Sequence, residues 1–378
     1  MLDIFTKLAY QAFQESKGYF GLAHKTIATQ VMQTVYPDLT NRDQSLSPKS
    51  IVELQKRKAV LFDRDLQDAE RGIYPVEILF DNAWDDFFFY YPLVCLDSPR
   101  IWERRRNNQN QEFPANINTD GYPKYYLQNF HHQTDGYLSD WSANLYDLQV
   151  DILFNGTADA MRRRILAPLV DGLKRFADDV PAHQTRILDV ACGTGRTLKF
   201  VRSALPQASL FGCDLSAAYL RKANQMLSKE PGLLPQLLQA NGEDLPYVDN
   251  YFHAVVSVFL FHELPGQARQ NVINECFRVV QPGGQLIICD SIQLSDSPEL
   301  EAMMAGFFKN FHEPYYREYI HDDIGQRLTD AGFEDVSMET CFFSNYWVAQ
   351  KPIEPIEPIE VKQARDNAGL SKELVGSV

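Results

Sequence analysis

The sequence predicts an α/β protein: a seven-stranded, mostly parallel sheet ending in an antiparallel hairpin, with a largely helical N-terminal extension. Three observations carry that expectation. Ile187-Leu188-Asp189-Val190-Ala191-Cys192-Gly193-Thr194-Gly195 reads as a buried strand running into a glycine turn, and Arg196-Thr197-Leu198-Lys199-Phe200-Val201 then reads as a helix start. From Thr185 to about Lys351 strand and helix patterns alternate, the signature of parallel strands joined by right-handed crossovers. The last two strand candidates are separated only by a short turn near Phe343-Ser344, which suits an antiparallel pair.

Taken in chain order, residues 1–120 carry helical patterns and loops with few strand signals. Within them Asp85-Asp86-Phe87-Phe88-Phe89-Tyr90-Tyr91 is strongly aromatic; core packing is the favoured reading, and an apolar patch facing a greasy substrate or a membrane surface is the sharper one. Residues 107–123 are polar and rich in Asn, Gly and Pro, as a loop or linker is. Tyr125 through Tyr137 mixes polar and aromatic residues, as ligand-facing surfaces do. Leu166, Leu169, Val170, Leu173 and Phe176 recur at the spacing of a helix that packs on a sheet.

The expected strands are Arg186–Val190, Ser209–Asp214, Pro235–Ala240, Ala254–Phe259, Gln285–Asp290, Asp335–Cys341 and Asn345–Gln350, with helices between the first five. Gln281-Pro282-Gly283-Gly284 reads as a tight turn before the fifth. From Pro352 the triplet Pro-Ile-Glu occurs three times, which excludes helix and favours an extended segment, and the rest to Val378 is expected to be disordered. The predicted organisation is therefore a helical extension over 1–120, an α/β domain over 121–351 and a Pro/Glu-rich tail over 352–378.

Composition narrows the partners. The chain of 378 residues is long enough for two domains, and its 45% apolar and 23% charged residues are ordinary for a globular protein. A net charge of -14 argues against nucleic acid, because a phosphate backbone needs Lys and Arg to displace its counterions. Arg104-Arg105-Arg106 and Arg162-Arg163-Arg164 are expected on solvated helix faces or helix ends, ahead of a headgroup or substrate-phosphate role. None of the six cysteines is spaced as C-x-x-C, so neither a disulfide framework nor a metal site is expected, and a reducing, cytoplasmic setting is. No leader or membrane-spanning stretch is apparent; the longest apolar run, Phe87 to Leu96, contains a proline and stops at Asp97.

A strand, glycine turn and helix start let backbone N–H groups approach a ligand closely. An acid at the strand end favours hydroxyl or ammonium donors on that ligand, which suits a nucleoside bearing an amino acid better than a pyrophosphate. From Asp189 to Gly195 the sequence resembles the class I S-adenosylmethionine-dependent methyltransferases, whose first motif is acidic-x-Gly-x-Gly-x-Gly after an apolar strand; Ala191 stands at the first glycine. The resemblance implies a Rossmann-like fold with S-adenosylmethionine as cofactor. It places Asp189 near the methionine ammonium and lets Ala191, Gly193 and Gly195 bring the backbone over the cofactor. Asp214, with Leu215 beside it, ends the second strand where the family binds both ribose hydroxyls, a role suited to an acceptor-only carboxylate. Ser216 is placed to cap the next helix. Asn241 and Gly242 occupy the family's adenine positions.

The fourth strand leads into Phe261-His262-Glu263, on the side that faces the transferring methyl in the family. His262 is the candidate general base, weighed against a structural histidine, and Glu263 reads as a helix-start charge. Phe307 and His312 lie in a segment that forms a substrate lid in many small-molecule methyltransferases, with helix packing as the alternative. Ala143-Asn144-Leu145-Tyr146-Asp147 also resembles the segment before the first motif in quinone-biosynthesis C-methyltransferases; it implies that Tyr146 touches the methionine end and that His131, His132 and Tyr137 lie near the acceptor.

The implied reaction is an in-line displacement at the sulfonium methyl by a small, hydrophobic or aromatic acceptor such as a phenol, quinol or lipid, and the aromatic runs admit peripheral membrane contact. Two rivals remain at this point. A nicotinamide-dependent dehydrogenase would share Gly193-x-Gly195 and Asp214, but Leu198 stands at its third glycine position. A catalytically silent cofactor-binding scaffold would suit the acidic tail and the extension. Nothing in the sequence specifies an oligomeric state.

Overall fold

The structure is a computed structural model that describes residues 2–39, 47–81 and 87–353. Its centre is a seven-stranded sheet in the order β3-β2-β1-β4-β5-β7-β6. The strands are β1 (Arg186–Val190), β2 (Ser209–Asp214), β3 (Gln236–Gln239), β4 (Phe252–Val258), β5 (Val280–Ser291), β6 (Glu334–Cys341) and β7 (Ser344–Gln350). The first five run parallel, while β7 enters between β5 and β6 and is antiparallel to both. The central strands are mostly buried because both faces are covered, as in β4, where all but the last residue is buried. Strand order reverses between β1 and β4, and at such a switch point the carboxyl ends of the strands open a crevice.

Twelve α-helices surround the sheet among the described residues: α1 (Ile4–Val35), α2 (Pro48–Glu70), α3 (Phe87–Asn107), α4 (Asp140–Leu153), α5 (Ala158–Arg163), α6 (Leu166–Leu173), α7 (Arg196–Ala204), α8 (Ala217–Leu227), α9 (Gly266–Val279), α10 (Glu301–Asn310), α11 (Tyr316–Tyr319) and α12 (Ile324–Asp330). The sheet separates two cores. Tyr10, Leu61 and Leu79 from the N-terminal region join Leu169, Ile187 and Phe200 in one, so the N-terminal helices pack into the same apolar mass as the sheet. Val272, Leu328 and Phe333 join Leu188, Val255 and Ile288 in the other.

The expected strands are all present, with two differences. No helix joins β3 to β4. The connecting residues 240–251 are rich in Asn, Asp, Gly and Pro, and β3 is a short, largely exposed edge strand with little apolar surface for a helix to cover. Strand β5 begins at Val280, so Gln281-Pro282-Gly283-Gly284 lies inside the strand as an irregularity and does not precede it. Gly283, with φ +76, donates to the Lys351 carbonyl at 2.9 Å, and Lys351 donates back to Gly284 at 2.8 Å, which pins this bulge to the end of β7.

The second arginine run stands at a helix end, as expected, but it is not on a solvated face. Arg162, Arg163 and Arg164 are buried or nearly so and each meets a carboxylate, Asp159, Asp65 and Asp68 respectively. A helix of six residues, wedged between α2 and α7, has no face left for solvent. The aromatic run divides. Phe87 stacks on Tyr91 with ring centroids 4.8 Å apart and both contact Phe20, whereas Phe88 and Phe89 are 91% and 68% exposed. Asp85 and Asp86, and the tail from Glu354, lie outside the described residues. Among the described residues no helix is long and apolar enough to cross a membrane. All six cysteines are free, five of them buried.

Candidate active site

Everything needed for a ligand cradle converges at the carboxyl ends of β1, β2 and β4. After β1 the chain turns through Ala191, Gly193 and Gly195, all left-handed with φ of +60, +52 and +82. Two of these are glycines because that region costs an L residue with a Cβ roughly 1–2 kcal/mol; Ala191 bears the cost. A Cβ on Gly193 would meet only the Tyr219 ring at 4.0 Å, so its bare backbone faces open space. Gly195 serves packing: a Cβ there would stand 3.0 Å from Ala223 and Leu227 of α8.

Asp214, at the end of β2, fixes the turn. Its Oδ2 accepts from the Gly193 N–H at 2.9 Å and its Oδ1 from the Ser216 N–H at 2.7 Å. Burial raises its pKa to about 6, with those two N–H groups pulling the other way. Each oxygen keeps a further lone pair for a ligand hydroxyl. Ser216 caps α8, its side chain accepting from the Tyr219 N–H. Asp189 lies behind the turn. It is fully buried, its Oδ2 has no hydrogen-bond partner, and burial together with the Asp214 charge drives its pKa well up.

These elements enclose a cavity of about 100 Å³. Ala191, Gly193, Asp214, Leu215, Asn241, Gly242 and Tyr146 line it, while Asp189 and Gly195 stand behind the wall. The other wall is aromatic. Tyr125, Tyr126, Phe130, Tyr137 and Tyr219 close over the turn, and only the mixed polar and aromatic character of residues 125–137 signalled this. Tyr137, expected near the acceptor, stacks on Phe130 and donates to Glu263 Oε1 at 2.6 Å.

A second cavity of about 330 Å³ adjoins the first, and Tyr146, Phe259 and Glu263 line both. It is mostly apolar, walled by Leu54, Val150, Phe154, Met303, Phe307 and Phe343. Lys25 from α1 lines it as well, and burial lowers this lysine to a pKa of about 8. His131, His262, Glu263, Tyr146 and Tyr316 supply its other titratable groups. Phe307 belongs to α10, a packed helix that forms a wall of the cavity. His132 and His312 stand away from both cavities, their rings 6.1 Å apart, with His312 bonded to Gln128 at 2.9 Å.

His262 is not isolated, as a sequence reading leaves it. Its Nδ1 lies 2.7 Å from Asp290 Oδ1 at the end of β5. Burial by itself lowers the imidazole pKa, but the Asp290 charge and hydrogen bond outweigh burial and bring it to about 9. Asp290 is fully buried and also accepts from the Phe261 and Ser291 N–H groups at 2.6 and 2.7 Å. Glu263 does not stand at a helix start, since it falls in a short turn before Pro265 and α9 begins only at Gly266. It sits instead at the junction of the cavities, where burial and the Glu313 carboxylate raise its pKa to about 7.

A strand-to-helix turn lined by a carboxylate with spare acceptor capacity, beside a separate apolar cavity, suits a two-substrate transfer site. Residues 187–284 match a family model described as a methyltransferase domain. Those residues carry a class I S-adenosylmethionine-dependent methyltransferase domain. This methyltransferase is 26% identical over 186 residues to a ubiquinone/menaquinone biosynthesis C-methyltransferase of Erwinia tasmaniensis, covering 43% of the chain and 73% of that relative. It is also 26% identical over 176 residues to a demethylmenaquinone methyltransferase of a Geobacillus species, covering 42% and 74%.

Among solved structures it aligns with an O-methyltransferase family protein from Burkholderia thailandensis at TM-score 0.41 and 18% identity, over 58% of the chain and 64% of that protein. It also aligns with a magnesium protoporphyrin IX methyltransferase from Synechocystis at TM-score 0.40 and 16% identity, over 52% and 87%. The methyltransferase therefore spans a little under two thirds of the first of these structures. Its cofactor is S-adenosylmethionine, and the dehydrogenase reading falls away. The cradle fits that cofactor, with open space over Gly193, spare acceptor capacity on Asp214 and an amide side chain at Asn241.

Proposed function

We propose that this methyltransferase acts on a small, hydrophobic or aromatic acceptor held in the larger cavity, beside the cofactor cradle. The observation that carries this reading is the shared wall of Tyr146, Phe259 and Glu263, because methyl transfer needs two adjoining compartments, one for each reactant. The bound cofactor supplies an electrophilic sulfonium methyl, so the chain's own task is alignment, exclusion of water and handling of the acceptor's proton.

Asp214 holds the ribose hydroxyls on its remaining lone pairs, Asn241 and Gly242 meet the adenine, and Tyr146 packs at the methionine end. Asp189 acts from behind the turn. The apolar walls from Phe154, Met303 and Phe343 exclude water from the acceptor and favour a phenol, quinol or lipid-like body. His262, with Nδ1 tied to Asp290, keeps Nε2 for the acceptor and handles its proton. The quinone-biosynthesis relatives support an acceptor of this kind. The N-terminal region takes part through Lys25 and Leu54, which line the acceptor cavity. Free, mostly buried cysteines suit a cytoplasmic setting, which cell fractionation reads directly.

The test is calorimetric binding of S-adenosylhomocysteine and NAD, followed by transfer of labelled methyl into fractionated extract. Tight S-adenosylhomocysteine binding with label in the organic-soluble fraction is the expected result. Label confined to protein, or no label in any fraction, overturns the proposed acceptor class.

A further inference from the structure

We propose that His131, Glu263 and Glu313 bind a divalent transition-metal cation at the junction of the cofactor and acceptor cavities. Each residue offers a ligand atom, and these atoms all lie within 4.8 Å of one another. They come from three separate segments: the short turn Phe130–His132, the turn Phe261–Glu263, and the loop between α10 and α11.

Glu313 points to a ligand independently of that clustering. It is 2% exposed, and its Oε2 is buried without a hydrogen-bond partner. A buried carboxylate oxygen left in this way is costly, and nature fills such sites with a cation, a proton or a water. Nearby positive groups are otherwise engaged. His262 is bound to Asp290 at 2.7 Å, and the Lys25 Nζ donates to the Leu153 carbonyl at 3.3 Å. His131 Nε2 lies 2.5 Å from Glu313 Oε1, a proton-sharing distance. A metal entering between them takes the place of that proton and also collects Glu263, whose Oε1 now accepts from Tyr137.

The donor set selects the metal class. One imidazole and two carboxylates suit zinc, manganese or ferrous iron, whereas calcium takes six to eight oxygens and copper(I) prefers sulfur. Three protein ligands leave coordination positions open, and Glu263 borders both cavities while His131 borders the larger. A cation held there would lie beside the acceptor compartment, and its open positions would suit an oxygen of the acceptor. That last clause rests on the proposed acceptor cavity; binding of the cation itself does not.

The experiment uses the full chain, stripped with a chelator and titrated by calorimetry with MnCl2 or ZnCl2. Uptake of about one equivalent is expected, weakened at least roughly tenfold in Glu313→Gln and in His131→Asn. The exposed His183→Ala should bind as the unaltered chain does. Circular dichroism and S-adenosylhomocysteine binding, measured on the same samples, report whether each variant is folded and whether the cofactor reading stands. If one variant unfolds, cobalt(II) absorption decides: ligand-field bands without a thiolate charge-transfer band support the site. No uptake overturns the proposal and leaves a proton-shared His131–Glu313 pair. A thiolate band, or uptake unchanged in the folded variants, overturns it by placing the metal elsewhere.

Discussion

Arg163 and Asp65 form a fully buried, bidentate ion pair, with Nη2 2.5 Å from Oδ2 and Nε 2.9 Å from Oδ1. It joins α2 of the N-terminal region to α5, just ahead of the sheet domain. Tyr10 and Tyr74 donate to the same carboxylate, and Arg163 reaches the Ile78 carbonyl at 3.1 Å. With every partner in place the desolvated charges are compensated. Removing one leaves the other buried and unpaired, so Arg163→Met or Asp65→Asn should cost about 3–5 kcal/mol. Urea unfolding checks this, and the double variant Asp65→Asn with Arg163→Met should lose less than the two single losses together. Single losses under about 1 kcal/mol would show that the pair does not clasp the two regions.

Asp214 should make cofactor affinity fall in mild acid. Its pKa in the fold, about 6, stands above the ordinary value of 3.8, so its contribution to stability without ligand is full below pH 4 and is lost as pH rises through 6. Ribose hydroxyls donate to the ionised carboxylate, so binding runs the other way and prefers pH above 6. S-adenosylhomocysteine should bind roughly tenfold more weakly at pH 5 than at pH 7, and Asp214→Asn should abolish that dependence. A flat profile in the unaltered protein would remove Asp214 from the ribose site.

The glycine turn carries an asymmetry that stability can read. Ala191→Gly relieves a left-handed alanine at φ +60 and should stabilise by about 0.5–1 kcal/mol, because the relief exceeds the extra unfolded-state entropy of glycine. Gly195→Ala should do the reverse and more strongly, since its Cβ meets α8 at 3.0 Å with φ at +82. Melting temperatures of the two variants should move in opposite directions.

His262→Ala should abolish turnover while leaving S-adenosylhomocysteine affinity within about threefold, since His262 lines the acceptor cavity and not the cofactor cavity. Asp290→Asn should lower kcat with little change in cofactor affinity, because it acts through the imidazole it orients. Loss of cofactor affinity with turnover preserved would assign His262 a structural role.

Local pattern foretold the parts of this molecule that are built locally. The strand-to-helix turn at Asp189–Gly195, the capping Ser216 and the terminal hairpin depend on neighbours within a few residues, and all of these stand where their sequence placed them. The bulge at Gly283 and the helix-free connection after β3 escaped because each depends on a distant fact, the pairing with Lys351 and the exposure of an edge strand. His132 and His312 read as acceptor residues because they neighbour His131 and Phe307 in the chain, yet they face each other away from the cavity.

The sequence by itself determined the α/β fold and the strand-to-helix glycine turn after its first parallel strand, because strand periodicity and glycine turns are written in consecutive residues; the methyltransferase reading came from the resemblance that this turn carries. Tertiary structure alone decided how the charges are arranged. Asp290 reaches His262, Glu313 reaches His131 and Asp65 reaches Arg163 from remote parts of the chain. The physical reason is burial. A buried charge must find a partner wherever the fold brings one, and no local spacing records which residue that will be.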